Sequence, residues 1–452
     1  MKALIFLSIL CLLLTLCLAQ EKSETIFPDT PEGKLAASYL KAYNSGEDQV
    51  MMEFFRNRVT PEALGRSSAE ERTARYRQLY NRLGALELRR VFPSPDGSLR
   101  TLMRSKNGGS FTFEFDVERT PQHRMVRLMV DQADDQNLSL SRKRNRAELV
   151  QAVEAFVDSL VAADVFSGVV LIAKDGSVFF HKPYGLADRE RRIPNRPDTK
   201  FNLGSINKSF TKVAIYQLAA KGKLSLDDPI KKHIPDYPNT EAAEKVTIKH
   251  LLDMTSGIGD FFGQRYMSTP KEKLRSIRDY FPLFADMPLQ FQPGTGQRYS
   301  NGGYIVLGAI VEAAAGTDYY TYVRENIFKP AGMNSSESYE KDKPVPNRAL
   351  GYTRRGGTSW QTNYETLPAK GSSAGGGFST AEDMLRYTRA LKTGVLYNPD
   401  AEGGMGIAGG APGINAFLDW DPSSDEVIVV LANLDPPAAE RVARQIRMWL
   451  PR

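Results

Sequence analysis

The chain has 452 residues, 41% of them hydrophobic and 25% charged, with a formal net charge of +6. That is an ordinary globular composition, and the length exceeds one core of usual size, so at least two domains are expected. Much of the positive excess lies in one run, Arg142-Lys143-Arg144-Asn145-Arg146. No aromatic residue interleaves with it, so it reads as a solvated linker at 141–147 and not as a nucleic-acid platform or a membrane patch.

In chain order, Met1-Lys2 opens an uncharged run at 3–18 that ends in Cys17-Leu18-Ala19. This fits a secretory signal peptide, residues 1–19, cut after Ala19. An uncleaved membrane anchor is the alternative, but the run is short against a span of about 20 residues. Lipid attachment at Cys17 is the other, with a bulky Leu16 against it. The expected location is therefore secreted or periplasmic, with membrane contact only through this segment. Cys11 and Cys17 both lie in it, so the mature chain has no disulfide, no thiol nucleophile and no thiolate metal site.

Residues 31–58 read as helix with a break near Asn44-Ser45-Gly46, because Leu35, Ala36, Tyr39, Leu40 and Tyr43 recur at helical spacing. A second helix at 69–83 stops at Gly84. Four strands follow, at 86–92, 99–104, 110–117 and 125–131, with strong turn signals in Ser94-Pro95-Asp96-Gly97 and Lys106-Asn107-Gly108-Gly109. Helices followed by a strand meander predict a small α+β domain at 24–140. Its order resembles the cone-shaped folds of the NTF2-like superfamily. A new helix begins at 148, then strands at 166–173 and 178–181 around the turn Lys174-Asp175-Gly176-Ser177. Two more strands, 414–419 and 426–433, and a helix at 437–450 close the chain. Strands at both ends of a long helical middle imply one antiparallel sheet built from distant segments of a 148–452 domain.

The chemistry-bearing residues lie in that domain. Ser205 and Lys208 stand three residues apart in Gly-Ser-Ile-Asn-Lys at the start of an expected helix, one turn apart on one face. A serine hydroxyl is a poor nucleophile until a base takes its proton, and a desolvated lysine can be that base. Tyr299-Ser300-Asn301 follows a turn and precedes an apolar helix at 304–315. Other stretches keep company with these: Phe166-Ser167-Gly168-Val169-Val170, Gly222-Lys223-Leu224-Ser225-Leu226-Asp227-Asp228-Pro229, Leu251-Leu252-Asp253-Met254-Thr255-Ser256-Gly257, Ala374-Gly375-Gly376-Gly377-Phe378-Ser379-Thr380 and Ala408-Gly409-Gly410-Ala411-Pro412-Gly413.

In this order and spacing, residues 148–452 resemble the serine β-lactamase and penicillin-binding-protein superfamily, in the branch near class C β-lactamases and related esterases and D-peptidases. The resemblance implies an α+β fold, an antiparallel sheet flanked by helices with an all-helical lobe. It implies that Ser205 is the nucleophile of an acyl-enzyme, with Lys208 and Tyr299 as coupled proton acceptors. Tyr299, with an ordinary pKa of about 10, is expected to be drawn toward phenolate by Lys208. Asn301 would orient Lys208 and the substrate amide. The oxyanion hole would be the backbone N–H of Ser205 and one from the edge strand carrying Gly409 and Gly410, with Gly410 the aligned donor.

The sequence departs from the family at Ile407, where close relatives carry Lys or His facing the site. Isoleucine neither transfers a proton nor binds a carboxylate, so an ester or a neutral amide is the expected substrate. His123, His181, His233 and His250 lie in no motif, and no His-Glu-x-x-His or phosphate-loop spacing occurs, so neither a cofactor nor a metal is expected. Asp227-Asp228 reads as a turn. The expectation is an exported serine hydrolase for a small-molecule or peptide substrate. The alternative is a penicillin-binding-like sensor with little turnover, and the first domain is a candidate dimerisation or cell-wall docking unit.

Overall fold

The computed structural model describes residues 26–93, 98–133, 145–354, 357, 359–399 and 404–450. The expected signal peptide and all but the last residues of the basic linker lie outside these. The chain divides into two compact units, Met1–Ser141 and Arg142–Arg452.

Among the described residues, the first unit holds four helices and a four-stranded sheet. Helix α1 (Pro31–Asn44) starts with Pro31 in its first turn and with Thr30 Oγ1 accepting from Gly33 N at 3.2 Å, so one otherwise orphaned N–H is met. Helices α2 (Asp48–Arg58), α3 (Pro61–Arg66) and α4 (Ala69–Leu83) follow. The short α3 was not expected, although Thr60-Pro61 caps it in the same way as α1. Gly84, at φ 66°, ends α4. Strands β1 (Leu86–Pro93), β2 (Ser98–Ser105), β3 (Ser110–Val117) and β4 (Met125–Ala133) form an antiparallel meander in chain order. Buried rings tie helices to sheet, with Tyr39 and Phe115 centroids 5.3 Å apart.

The second unit opens with α5 (Arg146–Ala162), capped reciprocally by Asn145 and Glu148. Strands β5 (Gly168–Lys174) and β6 (Ser177–Tyr184) come next. The chain returns to the same sheet only with β9 (Met405–Ala411), β10 (Ile414–Asp421) and β11 (Glu426–Ala432). The order is β9-β10-β11-β5-β6, antiparallel throughout, so β9 is an edge. Gly168 is required at the β5–β11 contact, since a Cβ there would lie 2.0 Å from Leu431 O.

Both sheet faces are covered, and β11 is buried along its whole length. Val427, Val429 and Leu431 join the core of the helical lobe. By strand alternation Ile428 and Val430 face the other side, where the amphipathic α9 (Ala438–Trp449) packs on β10 and β11. Among the short strands between the sheet segments, β7 (Phe201–Asn202) and β8 (Phe378–Ser379) pair with each other. The lobe also carries α6 (Asn207–Ala220), α7 (Asn301–Ala315) and α8 (Ala381–Lys392). The pairing of α6 with α7 brings the two halves of the site together.

Candidate active site

Ser205 lies in a single 3-10 turn, Gly204–Ile206, between β7 and α6. Two glycines let the edge strand β9 run against this turn. A Cβ on Gly204 (φ 52°) would be 3.0 Å from Gly410 N, and one on Gly409 would be 1.9 Å from Leu203 O and 2.8 Å from Ser205 N. Any side chain at 409 would push the strand away from the serine.

Ser205 Oγ has two partners. Tyr299 OH donates to it at 2.8 Å, and Lys208 Nζ lies 3.2 Å away. Lys208, on the first turn of α6, is 7% exposed. Its Nζ donates to Asn301 Oδ1 at 2.6 Å and to Ala374 O at 2.5 Å. Those two groups only accept. The remaining Nζ position faces Ser205: a third N–H when the lysine is charged, a lone pair when it is neutral. Burial depresses the Lys208 pKa to about 7, against a smaller opposing pull from Asp260. Near neutral pH both forms are populated, and the neutral one can take the serine proton.

Tyr299 departs from expectation. It stands directly before α7, half exposed, with the Lys208 Nζ 4.8 Å from its ring centroid. Its pKa is raised, first by burial, with the Ser205 bond lowering it and Asp260 raising it. Phenolate character is therefore not favoured, and Tyr299 is a phenol that donates to the serine. Asn301, the first residue of α7, is held at both ends of its amide: Oδ1 accepts from Lys208, and Nδ2 donates to Asp260 Oδ2 at 2.6 Å. Asp260 is the residue of this hydrogen-bond network that the sequence reading missed. It stands in a loop without periodicity, and its only local signal is its place three residues after Ser256-Gly257.

A cavity of about 660 Å³ opens on Ser205, Tyr299, Asn301 and Gly410. Gly409 is not on its wall but buried against the serine turn, so its expected contact with substrate is replaced by a packing role. Ile407 is also absent from the wall and packs, half buried, on the hydrophobic core. The glycine run 375–377 serves packing too, since a Cβ on Gly377 would lie 2.2 Å from Asn207 Oδ1. Asp228 is a structural anchor, bonded to Ser225 N, Lys232 and His233. None of the four histidines lines the cavity, and among the described residues no cluster of three or more His, Cys, Asp or Glu is placed to hold a metal.

With this geometry in view, the likeness to known proteins is specific. The Beta-lactamase family profile matches residues 151–450. PbpX of Bacillus subtilis (strain 168), assigned as a penicillin-binding protein, is 31% identical over 289 residues, 60% of this chain and 71% of that one. The solved penicillin binding protein from Bacillus halodurans superposes with a TM-score of 0.59 at 32% identity, over 64% of this chain and 98% of its own. The D-amino acid amidase from Ochrobactrum anthropi SV3, at 22% identity and a TM-score of 0.57 over 66% of this chain and 98% of its own, shares the fold. The chain belongs to the beta-lactamase family and is a serine hydrolase of that superfamily.

Proposed function

We propose that the chain is an exported serine hydrolase that forms an acyl-enzyme at Ser205 and cleaves an ester or an amide, as an esterase or D-peptidase does, in preference to a β-lactam. The observation that carries the reading is the position of Ser205 Oγ between the Tyr299 hydroxyl and a lysine amine of depressed pKa.

Neutral Lys208 takes the Ser205 proton as Oγ bonds to the carbonyl carbon. The carbonyl oxygen gains the negative charge, facing the N–H groups of Ser205 and Gly410. Collapse expels the leaving group, which takes a proton from the Lys208–Tyr299 pair, and the acyl chain stays as an ester on Ser205. Water then attacks that ester, giving its proton to the same pair, and the serine is released with its hydroxyl restored. Oxyanion donors of this kind contribute about 10²–10³ in rate.

Replacing Ser205 with alanine should abolish both hydrolysis of short-chain 4-nitrophenyl esters and fluorophosphonate labelling. Undiminished turnover in the variant would refute the assignment. Ile407 supports a second reading, a sensor that acylates and does not release. A stoichiometric burst without steady turnover distinguishes it.

A further inference from the structure

We propose that Arg348 anchors a carboxylate on the substrate, joined to the scissile carbonyl through an apolar spacer. This rests on the reading of Ser205 as nucleophile and adds a substrate class to it. Arg348 shares the cavity with Ser205. Its Nη1 donates to Glu340 O at 3.0 Å and its Nη2 to Lys341 O at 2.9 Å. Both partners are neutral carbonyls, and a guanidinium has five N–H donors. Among the described residues no carboxylate lies within ion-pair distance of it. Instead its Cζ stands 5.8 Å from the ring centroid of Phe378, another wall residue. Burial lowers its pKa, against smaller opposing pulls from Tyr364 and from Asp342, and Asp342 itself pairs with Arg275.

Other partly buried arginines of this fold have a carboxylate in contact. Arg324 pairs with Glu337 at 2.6 Å, and Arg447 with Asp419 and Glu426. Lys341, the other cation on the cavity wall, pairs with Glu272 at 3.1 Å. A partly desolvated guanidinium with no carboxylate in contact is disfavoured, and a ligand carboxylate offsets that cost while using the fork geometry of the guanidinium. The wall nearby supplies Tyr339, Tyr364 and Phe378 for a spacer. Position 407 carries no cation on the edge strand, whereas position 348 places one on the cavity wall.

Mono-4-nitrophenyl esters of succinate, adipate and suberate, compared with the same compounds methylated at the far carboxyl, test this. Wild type should prefer the free acid by about tenfold or more in kcat/KM at one of the lengths, the size of a charge-assisted contact. Arg348→Gln should bring that ratio near one, through a larger loss on the free acid than on the methyl ester. Wild-type preference should also shrink in high salt. No preference at any length, or an equal loss on both substrates, overturns the proposal, the latter meaning that Arg348 only fastens the 340–341 backbone. If Arg348→Gln does not fold, Arg348→Lys with the wild-type salt dependence decides. Stabilisation of wild type but not of Arg348→Gln by free adipate is read without turnover, so failure of the Ser205 assignment remains separable.

Discussion

Asn301 couples Lys208 to Asp260 through the two ends of one amide, accepting from the amine at 2.6 Å and donating to the carboxylate at 2.6 Å. The Asp260 carboxylate fixes which way the amide faces, because only Nδ2 can donate to it. Asp260 Oδ1 is itself held by Phe262 N at 3.0 Å. Lys208 is therefore held through Asn301 by a carboxylate that has no hydrogen bond to Ser205.

The pH profile should report this arrangement. With Lys208 at about 7, kcat/KM for a neutral ester should rise through an acid limb near that value. Asp260 raises the lysine pKa, so Asp260→Asn should move the limb to lower pH. A rate profile whose limb does not move in that variant would remove Asp260 from the site.

Lys208→Met should lower kcat by about 10²–10⁴, the usual scale for a lost general base. It should also change how stability depends on pH. The folded pKa of about 7 lies below an unfolded value of about 10.4. Between these the unfolded chain binds more protons, so wild-type stability rises with pH across the window. The rise is on the order of a few kcal/mol, and it should be missing in Lys208→Met. Urea midpoints at the two ends of the window give the comparison. The slope is the test, since the variant also strips a donor from Asn301 and Ala374.

Asp435 tests a different link. Its carboxylate accepts from Gly413 N at 2.8 Å, Arg354 N at 2.8 Å and Thr353 Oγ1 at 3.1 Å. It thus ties the β9–β10 turn, whose Ala411 and Pro412 line the cavity, to the segment after Gly351. Asp435→Ala removes the acceptor from these donors, and at this half-buried site the loss should fall at or below the ~1–3 kcal/mol of a fully buried group. A drop in thermal stability together with a raised KM is expected, and a variant as stable as wild type would contradict the role.

The Ser205–Lys208 pair was legible because three residues make one helical turn, and a period survives in sequence. Tyr299 and Asn301 were legible by their place before an apolar helix. The state of Tyr299 was not, because phenolate or phenol depends on burial that a chain pattern does not encode. Asp260 lies in a loop that has no period to read. The division of labour between Gly409 and Gly410 turns on strand alternation at an edge: one residue faces Leu203 and the next faces the cavity. Ile407 shares the parity of Gly409, and so packs inward.

That parity gives the sharpest structural test. Gly409→Ala places a Cβ 1.9 Å from Leu203 O and 2.8 Å from Ser205 N, both backbone atoms that cannot rotate away. The strand must shift, and with it the Gly410 N–H, so a loss of about 10²–10³ in kcat is expected, as for removal of one oxyanion donor. Overpacking adds a destabilisation of about 1–3 kcal/mol. Gly406, three residues earlier on the same strand, has nothing within 4 Å of where its Cβ would be, so Gly406→Ala should be silent in both respects. Circular dichroism melts and steady-state ester hydrolysis on the two variants separate a general weakening of β9 from displacement at the serine. Equal effects at 406 and 409 would mean that the contact with the nucleophile turn plays no part in catalysis.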